Sequence, residues 1–157
     1  MKLLILLIFL SACAPREDGT HHKKLSIASE FKDVFDKFQT EASAYGIKAD
    51  DLVIVFGEPS DFEGCTYTGL ATLGCCSRHI GTTPKIIIYR PYWEIAPDYR
   101  REAILFHEMG HCVLGRQHLE VKEFDEPVSI MYHNVNEIQG PYYINHRDGY
   151  VKELLTK

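Results

Sequence analysis

Residues 107–118, His-Glu-Met-Gly-His-Cys-Val-Leu-Gly-Arg-Gln-His, constrain this chain more than any other stretch. They carry two histidines four apart, a glutamate beside the first, and a third histidine just past a glycine. Residues four apart in an α-helix stand one above the other on the same face, so a helix lets His107 and His111 present two imidazoles to one point. The flanking residues agree. Pro97 and Asp98 are helix-start signals, and Ala103, Ile104, Leu105 and Phe106 make the segment largely apolar, as a buried helix should be. A helix over residues 99–114 is therefore predicted, ended by Gly115 in a left-handed conformation that turns the chain back.

The residue types then suggest the chemistry. Catalytic zinc takes three protein ligands and leaves a fourth position to water, whose pKa falls toward about 7. His118, brought back by the turn at Gly115, is the expected third ligand after His107 and His111. Glu108 stands where a general base can take a proton from water and later pass it to a leaving amine. Glu120, Glu123, Asp125 and His133 follow closely enough to be alternative third ligands. Glu137 is the candidate for a glutamate ligand on a later element, although residues 134–141 read as turn.

On these residues the chain resembles the metzincin clan of zinc metalloproteases, whose signature is H-E-x-x-H-x-x-G-x-x-H followed by a methionine-containing turn. Ser129, Ile130, Met131 and Tyr132 look like that turn. One departure stands out: three residues, not two, separate His111 from Gly115. An added helical residue rotates the helix end by about 100° and advances it about 1.5 Å, so a bulge or a tighter last turn is expected there. The resemblance implies a small α+β zincin domain, a twisted mixed sheet with a backing helix, an active-site helix and a C-terminal helix. It also implies one catalytic Zn2+ ion on His107, His111 and His118, Glu108 as the catalytic residue, and Met131 as a hydrophobic floor. The implied partner is a peptide or protein substrate that adds to an edge strand above the metal. Some relatives use a tyrosine to stabilise the oxyanion. Tyr132, Tyr142 and Tyr143 are the candidates, with packing beneath the site as the simpler expectation. His133 and His146 are expected to be surface or hydrogen-bonding histidines.

Elsewhere the pattern is less specific. Ile27, Phe31, Val34, Phe35, Phe38, Ala42 and Tyr45 have helical spacing, predicting an amphipathic helix over residues 26–45 with Gly46 as its stop. Residues 52–56 and 85–89 are continuous apolar runs that read as buried strands, the second ended by Pro91. Residues 66–74 and 75–80 read as weaker strands or a hairpin. A turn at Gly140 and Pro141 leads to a predicted last helix over residues 145–155.

Lys2, the apolar run over residues 3–10 and the sequence Leu10-Ser11-Ala12-Cys13 read as a secretory signal, too short for a mature membrane span. The last four residues resemble a bacterial lipobox. That implies a signal peptide over residues 1–12, Cys13 as the lipidated first residue, a tether over residues 13–24 and one domain over residues 25–157. Ala14, where aspartate would favour inner-membrane retention, points to the outer membrane of a Gram-negative bacterium. Membrane contact is thus expected through the N-terminal lipid. Cys65, Cys75, Cys76 and Cys112 remain, an even number in an oxidising compartment, which predicts two disulfides with three possible connectivities. The net charge of −5, without a Lys/Arg run, gives no sign of a nucleic-acid partner, and a monomer is expected. The competing reading is a non-catalytic envelope lipoprotein in which zinc braces the fold or a partner-binding surface. Glu108 argues against it, because a structural site needs no base beside its ligand.

Overall fold

The computed structural model describes residues 21–62, 65 and 73–156. The signal, Cys13, most of the tether and residues 66–72 of the expected hairpin lie outside them. In chain order the elements are β1 (Leu25–Ile27), α1 (Lys32–Ser43), β2 (Leu52–Gly57), β3 (Gly74–Ser77), β4 (Lys85–Tyr89), α2 (Arg90–Ile95), α3 (Asp98–Cys112), β5 (Lys122–Glu123), β6 (Glu126–Pro127) and α4 (Gly140–Thr156).

The fold is α+β, built on a mixed sheet of order β1-β2-β4-β3. The strands β1, β2 and β4 are parallel, while β3 pairs antiparallel with β4 and is an edge among the described strands. The apolar run in β4 reflects burial on both faces: Ile86 and Ile88 belong to the main core, and Ile87 packs with Phe62 and Cys75 on the other side. On the main-core side, Phe38 of α1 meets Phe106 of α3 edge-on at 5.3 Å. Tyr143, Tyr150, Val151, Leu154 and Leu155 carry α4 onto the same core. With helices on both flanks, α3 is buried from Glu102 to Gly110, which leaves the motif's side chains directed at a confined site.

Several boundaries differ from expectation. Residues 25–27 form β1, not the start of a helix, because pairing Ile27 with Ile54 and Leu25 with Leu52 extends the sheet. Ile27 is compatible with either period, and only the sheet gives that short segment hydrogen-bond partners. A 3-10 turn at Ser29–Phe31 then leads into α1, and Gly46 follows its end at φ 70°. Pro91 opens α2 and Pro141 lies in the first turn of α4, so both act as helix starters where breaks were expected. The hairpin β5–β6 was not foreseen. Its turn residues Phe124 and Asp125 adopt positive φ without the Asn or Gly that usually signals such a turn.

The disulfides join Cys65 to Cys75 and Cys76 to Cys112. Consecutive strand residues point to opposite faces, so Cys75 faces the small cluster and Cys76 ties the edge strand to α3. No described helix is long and apolar enough to cross a membrane.

A charged cluster fastens α1, α3 and α4 together. Buried Glu102 accepts from Lys37, from Arg147 and from the Tyr143 hydroxyl at 2.8 Å. Burial opposes its charged form, but these donors outweigh burial and hold the carboxyl below its ordinary value. A depressed carboxyl stabilises above its unfolded value of 4.5 and loses that contribution as pH falls through the folded one. Glu102→Gln is therefore expected to destabilise by about 2 kcal/mol at neutral pH, modest for a broken buried pair because Lys37 is half-exposed. The variant should also flatten the acid limb of stability against pH. Thermal melts across the acid range check both.

Candidate metal centre

His107 and His111 rise from adjacent turns of α3, and His118 returns from the loop beyond Gly115. His111 Nε2 lies 3.1 Å from Nε2 of His107 and 3.1 Å from Nε2 of His118. Among the described residues these three form a group whose ligand atoms lie within 4.8 Å of one another, so they can hold a metal ion.

The backbone determines which nitrogens face inward. His107 Nδ1 is 2.8 Å from the carbonyl oxygen of Ile130, and His111 Nδ1 is 2.7 Å from that of Arg116. A carbonyl oxygen can only accept, so Nδ1 carries the hydrogen in both rings and each neutral ring turns the Nε2 lone pair inward. Such lone pairs, crowded at 3.1 Å, repel one another until a cation sits among them. Burial and the neighbouring His111 push His107 down to about 3. Burial also lowers His111 and His118. Neutral imidazole, the form that binds metals, therefore prevails at neutral pH.

The extra residue before Gly115 is absorbed by widening the last turn, not by tightening it. Leu114 N–H reaches the carbonyl of Met109 at 3.3 Å and Arg116 N–H reaches that of Gly110 at 2.9 Å, spans of five and six residues. Gly115 supplies φ 69°, and Arg78 Nη1 donates to the His111 carbonyl at 3.1 Å. The chain then doubles back, so that Leu119 N–H bonds the Met131 carbonyl at 3.0 Å.

Residues 129–132 form a tight turn beneath α3. The Ser129 hydroxyl accepts from Met131 N–H at 3.0 Å and donates to Glu153 at 2.6 Å, while Ile130 supplies the carbonyl that orients His107. Met131 is fully buried with its thioether against Gly110. A Cβ on Gly110 would lie 2.3 Å from Met131 Sδ and 3.0 Å from Leu154 Cδ1. Gly110→Ala is accordingly expected to cost about 1–3 kcal/mol of stability through overpacking. It should also weaken any metal binding by shifting the helix between His107 and His111. Melting and chelator competition on the same variant check this.

Glu108 lies against the edge strand: a Cβ on Gly74 would sit 2.7 Å from Oε1. Its carboxyl is buried and burial alone pushes it up to about 8. A cation on the neighbouring histidines would favour the carboxylate and bring that value down. The three histidines and Glu108 line a cleft of about 420 Å³, together with Leu73, Gly74, Cys76, His133, Asn134 and Asn136.

The remaining candidates sit elsewhere. Glu120 pairs with His133, and Glu137 pairs with Lys122 at 2.5 Å. Glu123 and Asp125 are exposed on the hairpin. Tyr132 packs beside His133, Tyr142 stacks on His146, and Tyr143 bonds Glu102. None of these tyrosines is among the described residues lining the cleft. His133 does line it, its ring 6.5 Å from that of His118, and as expected it is a hydrogen-bonding histidine, its partner being Glu120. The available signal for its place in the cleft was its position two residues past Met131. Compared with protein-family models, with curated proteins and with solved structures, the chain has no match.

Proposed function

We propose that this chain is a metzincin-type zinc endopeptidase, exported and tethered to a membrane by lipid on Cys13. The observation that carries the reading is the convergence of three Nε2 atoms beside a buried glutamate in an open cleft. Tetrahedral zinc with Zn–N of about 2.0–2.1 Å sets its nitrogens about 3.3–3.4 Å apart, close to the 3.1 Å from His111 Nε2 to each of the other two. Structural zinc sites are closed by a fourth protein ligand, whereas this group comprises three among the described residues. That difference favours catalysis over a purely bracing role.

When bound, zinc would polarise the scissile carbonyl and acidify water. The chain supplies the rest. Main-chain groups on the side of β3 that pairs with no other described strand hold an extended peptide across the cleft. Glu108, close against Gly74, accepts a proton from the attacking water and passes it to the leaving amine. Ile130 and Arg116 carbonyls keep the ligand rings in one tautomer, and Met131 supports the helix that carries them. The two disulfides suit an oxidising envelope compartment. By resemblance of the N-terminal sequence, that compartment is at the outer membrane of a Gram-negative bacterium. Incubation with quenched peptides should give cleavage that a chelator abolishes and added zinc restores. Absence of any metal-dependent cleavage across a diverse library would refute the reading.

A further inference from the structure

Arg78 follows directly on β3, at the end remote from Gly74 and Glu108. It lines the same cleft as the three histidines. One hydrogen bond from Nη1 to the His111 carbonyl anchors the guanidinium, which also lies against Gly115, where a Cβ would meet Nη1 at 3.1 Å. Arginine has five N–H donors in a rigid fork, so this single anchor leaves a face able to grip a carboxylate with two bonds. No carboxylate pairs with Arg78 among the described residues. The contrast within the cleft is direct: Arg116, also in its lining, is committed to the Glu153 carboxylate at 2.6 Å and to the carbonyls of Glu153 and Leu154. The cleft thus holds an anchored cation for which the described residues provide no carboxylate counter-ion.

We propose that Arg78 selects substrates that carry a carboxylate within about four residues of the bond being cut, at a strand rise of roughly 3.2–3.4 Å per residue from Gly74. The proposal rests on the peptidase reading. The carboxylate belongs either to an acidic side chain or to the free C-terminus of the peptide, and the two sources share one chemistry. A guanidinium that only capped α3 would give no discrimination between peptides differing in one charge.

The test uses purified zinc-loaded protein and twin peptides. One series exchanges Glu for Gln at each position around the cleaved bond, and the other compares free with amidated C-termini. In the series that supplies the true source, the acidic twin should have the higher kcat/KM by about five-fold, chiefly through KM. The preference should collapse toward unity in Arg78→Gln and turn toward lysine-bearing peptides in Arg78→Glu. Loss of folding or metal lowers both twins alike, so the ratio separates recognition from structure. Cleavage with no preference in either series, or a preference that survives Arg78→Gln, overturns the proposal. If no peptide is cut, fluorescence anisotropy of the labelled twins on zinc-loaded protein decides. Carboxylate-dependent binding lost in Arg78→Gln upholds the site while the peptidase reading fails, and its absence overturns both.

Discussion

Glu108→Gln is expected to lower kcat by about 10²- to 10⁴-fold while the purified protein keeps its metal. Glutamine has the size of glutamate, so contact with Gly74 is preserved and the cleft keeps its shape. On the proposed function, what disappears is the group that would take a proton from water and return it to the leaving amine. Because Glu108 is not among the three converging ligands, metal content should not change. In metal-free protein, removing an ionisable group from a site where burial disfavours its charge should leave the melting temperature equal or higher. Activity and stability therefore move apart, a pattern that general loss of folding would not produce. Steady-state kinetics, metal analysis and melting on one preparation check it. Retained turnover would remove Glu108 from its assigned role.

The second large effect falls on His118. His107 and His111 share one helix, whereas His118 depends on the widened turn, on Gly115 at φ 69° and on the bond between Leu119 and Met131. Its loss leaves two ligands. The nearby alternatives are engaged, Glu120 with His133 and Glu137 with Lys122, so substitution by one of them breaks another contact. His118→Ala should weaken zinc binding by more than about 100-fold, beyond the usual cost of disturbing a residue that merely orients a ligand. Competition with a chromogenic chelator measures it directly. Unchanged affinity would mean that another side chain completes the ligand set.

The parts of this arrangement visible in the sequence are those governed by local period. Four-residue spacing placed His107 and His111 on one helix face, and apolar runs marked β2 and β4 as buried strands. Gly115 announced the left-handed turn. The parts that were not visible depend on tertiary partners. The strand β1 is three residues long and exists through its pairing with β2, while Pro91 and Pro141 are compatible with either stopping or starting an element. The disulfide pattern was one of three, decided by the opposite directions of Cys75 and Cys76 on an edge strand. Likewise, the carbonyls that orient His107 and His111 come from residues 130 and 116, and the backbone contact of Arg78 comes from a different element, so spacing carries no trace of them.

On the proposed function, His107, His111 and His118 hold one zinc ion through Nε2. An anomalous difference map collected across the zinc absorption edge from crystals of the zinc-loaded protein tests this most directly. The predicted result is a single strong peak about 2.0–2.1 Å from all three Nε2 atoms, with Glu108 near it but outside ligand distance. A peak that excludes any of the three histidines, or no peak in the cleft at full zinc loading, would rule out this ligand set.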